Sequence, residues 1–83
     1  MKELLRRLEE AEEKANQADE AWEQEPENEE LEKAFDEAYK EQYKAFRELS
    51  KAIQKATGID NKTAGAMIRT KRAELKAILA KEA

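Results

Sequence analysis

Proton transfer, covalent catalysis and metal binding draw on a short list of side chains, and this chain lacks much of it. Its 83 residues include no histidine and no cysteine. Imidazole bases, thiolate nucleophiles, disulfides and the usual zinc or iron ligand sets are therefore excluded. Ser50 has no histidine to activate it as a nucleophile. Carboxylate pairs such as Glu9 and Glu13 sit one helical turn apart, but on a solvated helix their acidity is not tuned for acid–base work. Gly58-Ile59-Asp60-Asn61-Lys62-Thr63 has the lysine of a phosphate loop without the second glycine or the preceding strand. Asp60 and Gly65 share the spacing of a calcium-loop start, yet Lys62, Ala64 and Lys71 stand where oxygen ligands are needed. Asn61-Lys62-Thr63 matches a glycosylation sequon, with no secretion signal ahead of it. The expectation is no enzyme, no cofactor and no metal.

What remains is charge. Acidic and basic side chains make up 43% of the chain, with a net charge of −4. Residues 1–30 carry 4 basic and 12 acidic groups, residues 31–59 carry 6 and 5, and residues 60–83 carry 6 and 3. The chain is a dipole, acidic in front and basic behind. Glu9, Glu13 and Glu20 belong to the acidic strip. Lys62, Arg69 and Lys76 recur every seven residues, in line at 100° per residue, with Arg72 one turn beyond Arg69. These seven residues are the candidate interaction surface. Two ordinary roles are also open to them: solvated helix faces, and attraction between the two ends.

The positioning elements are helices. Ala, Glu, Lys, Leu and Arg dominate, and Pro26, Gly58 and Gly65 are the only helix breakers by type. Leu4, Leu8, Ala11, Ala15, Ala18 and Trp22 alternate spacings of four and three, which predicts a helix over about residues 2–24. Pro26 stops it, and Asn28 is placed to cap a second helix over residues 29–57. Leu31, Phe35, Ala38, Gln42, Ala45, Leu49, Ala52 and Ala56 form one stripe on that helix. A second stripe beside it (Tyr39, Phe46 and Ile53) widens the apolar face enough for two neighbours. Gly58 supplies the left-handed cap, and Asp60 opens a third helix over residues 61–81 with Ala64, Met67, Ile68, Leu75, Ile78 and Leu79 inward. The fold class is all-α: a long antiparallel hairpin plus a third helix, a three-helix or coiled-coil-like bundle, in one domain over residues 1–83. Trp22 is expected to pack at the hairpin tip and Gln42 to be partly buried opposite Ala11. The cysteine-free composition and the lack of an apolar run of about 18 residues point to the cytoplasm and to no membrane partner.

One segment resembles a known family. Around residues 50–72, Ile53, Gly58, Ile59, Asn61-Lys62-Thr63 and Met67 take the roles of the helix-turn-helix of bacterial and phage DNA-binding regulators. Gln54 stands where that family carries alanine, and Thr57 where it is apolar. The resemblance implies that Asn61, Lys62, Gly65, Ala66 and Arg69 face the groove, with Arg72 and Lys76 near phosphates. The short, helical, acidic chain also resembles small phage proteins that occupy basic channels of nucleic-acid-binding host enzymes.

Two functions follow as expectations. The first is a non-enzymatic protein-interaction module, such as an inhibitor or adaptor encoded by a mobile element, with a protein partner and possible homodimerisation. The alternative is a DNA-binding regulator using residues 57–72, with Asn61, Lys62, Arg69 and Arg72 as contacts.

Overall fold

Four capping positions set the lengths of the elements. The computed structural model describes residues 1–81. Among them lie α1 (Lys2–Gln24), α2 (Glu29–Thr57), α3 (Asn61–Thr70) and α4 (Arg72–Leu79). Glu25, held away from helical angles by Pro26, ends α1 at φ −136°. The Asn28 side chain accepts hydrogen bonds from the Glu30 and Leu31 N–H groups at 3.0 and 3.3 Å, which starts α2. Gly58 ends it at φ 77°, and its N–H donates to the Gln54 carbonyl at 2.8 Å. Asp60 accepts from the Thr63 N–H at 3.2 Å and opens α3.

The short turn after α1 makes α1 and α2 antiparallel. Trp22 stacks on Phe35 at the turn, with ring centroids 5.5 Å apart. At the opposite end Leu5, Leu8, Leu49, Ile53, Ala64, Ile68, Leu75 and Leu79 form one buried cluster. Full burial of each large side chain there contributes about 1.5–3 kcal/mol. Ala11 and Ala15 are also buried and continue the hairpin seam toward the turn. The molecule is thus a rod of 45 × 21 × 19 Å, with the core at one end and a two-helix hairpin at the other. Among the described residues no helix is long and apolar enough to cross a membrane.

The C-terminal third departs from the single helix expected over residues 61–81. Lys71, at φ −123° and ψ 39°, divides it into α3 and α4. Neither glycine nor proline is at the break. Side chains take over backbone acceptors there instead: Thr70 Oγ1 donates to the Ala66 carbonyl at 2.7 Å and Arg72 Nε to that of Ile68 at 3.1 Å. Such back-bonding bends helices. The bend returns Leu75 and Leu79 to the core. It also turns Ile78 outward, 50% exposed, where an inward position was expected. Helix α4 ends at Leu79, and Ala80 and Lys81 form a turn. The end of the expected domain, residues 82 and 83, lies outside the described residues.

Helix α1 shows a smaller difference. Its heptad stripe places Leu4 inward, but Leu5 is the buried neighbour and Leu4 is half-buried. The core at this end gathers three helices around α1, so its buried face is broader than a hairpin seam. Trp22 is half-buried, not enclosed, because no third helix reaches the tip. Gln42 is half-buried, as its place on the seam predicts.

Candidate interaction surfaces

The basic stripe of the C-terminal helices turns inward upon the chain itself. Arg72 forms a two-pronged pair with Glu12: Nη2 donates to Oε2 at 3.0 Å, and Nη1 donates to Oε1. The two side chains are only 25% and 30% exposed. The Arg72 pKa is raised, chiefly by the Glu12 hydrogen bond; partial burial opposes this, and the charges of Glu12 and Glu9 add to it. One turn on, Lys76 Nζ lies 3.0 Å from Glu9 Oε2. Arg69 lies over the Phe46 ring, 4.9 Å from its centroid. Lys62 is exposed on the first turn of α3. Of the remaining candidates, Glu13 accepts from Gln17 Nε2 at 3.2 Å, and Glu20 is exposed near the tip.

The junction between α2 and α3 has its own polar clasp. Ser50, only 3% exposed, donates to Asn61 Oδ1 at 3.3 Å. Gln54 Nε2 donates to Ser50 Oγ at 3.1 Å and to Asn61 Oδ1 at 3.2 Å. Gln54, the departure from the helix-turn-helix pattern, thus ties the two helices together through Asn61. Gly65 is buried, with Phe46 Cζ 3.6 Å from where a Cβ would stand, so it does not face outward as the resemblance implied. The Asp60 carboxyl is held below its ordinary pKa, first by the Thr63 side chain and then by the Thr63 N–H.

No protein-family model matches the chain, and no curated protein or solved structure is significantly similar to it.

Two surfaces stand out. The first is the hairpin tip. Residues 19–37 hold ten carboxylates and one lysine, and no ion pair joins any of those carboxylates among the described residues. Under them, Phe35 stacks between Trp22 and Tyr39, at 5.5 and 6.1 Å. The second is the outer face of α2 beside α3. Tyr39 and Tyr43 are 56% and 57% exposed there, and Arg47 lies 5.9 Å from the Tyr43 ring centroid. A groove of about 400 Å³ runs between Tyr43, Arg47, Lys51 and Arg69. The sequence places Tyr39 on the second stripe of α2, but Arg47 was missed. The four-residue spacing of Tyr39, Tyr43 and Arg47, a repeat on one helix face, was the available signal. No group of three or more metal-ligating side chains occurs among the described residues.

Proposed function

We propose that this chain is a non-enzymatic protein-interaction module, of the inhibitor or adaptor kind, that seats its acidic hairpin tip in a basic cleft of a protein partner. One observation carries this: two cations of the basic stripe, Arg72 and Lys76, are paired within the chain, whereas no ion pair joins the tip's carboxylates among the described residues. Arg72 and Lys76 pair with Glu12 and Glu9, upstream of the tip. Residues 19–37 keep a net charge of −9 on a narrow two-helix projection. Uncompensated charge of one sign steers association toward the opposite sign. The half-buried Trp22 supplies the aromatic anchor that such interfaces concentrate their binding energy on.

The second reading is duplex binding through residues 57–72. The α2–Gly58–α3 junction favours it, being a helix, a turn and a helix with Lys62 exposed. Three of its four contacts, Asn61, Arg69 and Arg72, are engaged by other parts of the chain.

The test is capture from nuclease-treated lysate with the wild type and with a Glu20→Gln, Glu23→Gln, Glu27→Gln and Glu30→Gln variant, folding being checked by circular dichroism. A defined protein should be retained by the wild type, released by heparin and lost with the variant. Equal capture by both proteins would remove the tip from the binding surface.

A further inference from the structure

The outer face of α2 is self-complementary, and we infer that a second copy of this chain docks on it in antiparallel orientation. At 100° per residue, Glu29, Glu32, Lys33, Asp36, Tyr39, Lys40, Tyr43, Arg47 and Lys51 fall within about 120° of arc. All nine are exposed. Their order is what matters: three carboxylates and Lys33 come first, for a net charge of −2, the two tyrosines flank Lys40 in the middle, and Arg47 and Lys51 come last. Arg69 of α3 adds a further positive charge beside that last part, across the 400 Å³ groove it shares with Arg47 and Lys51. A face acidic at one end and basic at the other repels a parallel copy and attracts an antiparallel one.

The register follows from the spacing. A two-fold axis between Tyr39 and Lys40 sets Glu32 of each copy opposite Arg47 of the other. It also sets Asp36 opposite the Tyr43 hydroxyl, which donates to it, and Glu29 within one turn of Lys51. Lys40 then lies beside Tyr39 of the second copy, where the ring face accepts a cation. The two tyrosine pairs occupy the centre, the place in an interface where aromatic side chains contribute most. The contact is isologous, so it closes at two copies and does not propagate. At the tip end α2 has only α1 as a neighbour, which leaves room for the second copy's α3. Asp19, Glu20, Glu23, Glu25 and Glu27 take no part in the contact, so dimerisation leaves these five tip carboxylates exposed to a partner while it engages Glu29, Glu32 and Asp36.

Light scattering with size-exclusion chromatography, from low to hundreds of micromolar, reads the outcome. The wild type should reach twice the monomer mass at low salt and dissociate as salt screens the end charges. Glu32→Arg and Arg47→Glu should each weaken the dimer at least about tenfold, as like charges then face each other twice. The charge-swapped double variant Glu32→Arg/Arg47→Glu should dimerise again. Circular dichroism of each variant separates loss of contact from loss of fold. A wild type that stays monomeric throughout, grows beyond two copies, or keeps its dimer when either charge is reversed overturns the proposal. So does failure of the double variant to recover. The Glu20, Glu23, Glu27 and Glu30 variant changes none of the contact residues named here, so capture through the tip is read separately from dimerisation.

Discussion

Arg72 shows how one residue's surroundings decide its meaning. In the sequence it is one cation of a stripe that could face a phosphate backbone. In the fold it donates to the Ile68 carbonyl with Nε and to Glu12 with both terminal nitrogens. A charge-assisted, two-pronged pair with limited exposure is stronger than an open surface pair. A double-mutant cycle on Arg72→Ala and Glu12→Ala, followed by urea unfolding, should give a coupling of about 1–2 kcal/mol. The same cycle on Lys76→Ala and Glu9→Ala, more exposed, should give less than about 1 kcal/mol. Equal couplings would mean that burial and geometry do not separate the pairs. Trp22 carries the converse lesson. It packs at the tip as expected, stacked on Phe35, yet it stays half-buried with its Nε1 donating to the Pro26 carbonyl at 3.3 Å.

At the scale of elements, whatever local chemistry decides was legible in the sequence. Asn28, Gly58 and Asp60 cap where expected, because a cap depends on a few neighbouring residues. The two glycines then have opposite roles. Gly58 sits at φ 77°, so Gly58→Ala should destabilise by about 1–2 kcal/mol from left-handed strain. Gly65 has ordinary helical geometry, and an added Cβ would meet Phe46 at normal contact distance. Gly65→Ala should therefore stabilise by about 0.5–1 kcal/mol, seen as a raised melting temperature. A fall with Gly65→Ala would show that α3 and α2 pack too tightly for a methyl group. The break at Lys71 was not legible, because no breaker residue marks it. On a straight helix Ala64, Ile68, Leu75 and Leu79 would still share one face, so their spacing is silent about the bend. The back-bonding of Thr70 and Arg72 bends the helix, but it is chosen by tertiary packing, which brings Arg72 and Lys76 to α1. The ion pairs of the candidate surface were illegible for the same reason. Opposite charges were visible at both ends, but which carboxylate meets which cation depends on that turn.

The whole molecule is polarised in packing as well as charge. Large buried side chains from all four helices meet at one end, while the tip has two helices and half-exposed rings. Hydrogen exchange should follow that gradient, with the amides of Leu49 and Ile53 slowest and those of residues 20–35 opening locally and exchanging faster. Uniform protection along the hairpin would contradict a core confined to one end. The proposed partner is a protein, not a nucleic acid. Arg72 and Lys76 of α4 are paired within the fold and Arg69 lies over Phe46, while the tip's carboxylates join no ion pair among the described residues. Titration of the purified chain into labelled duplex DNA, read by fluorescence anisotropy at about 0.15 M ionic strength, tests this most directly. The expected outcome is no saturable binding at micromolar protein and only weak, salt-sensitive association at low salt. Submicromolar, sequence-selective binding that Arg69→Ala abolishes would contradict it.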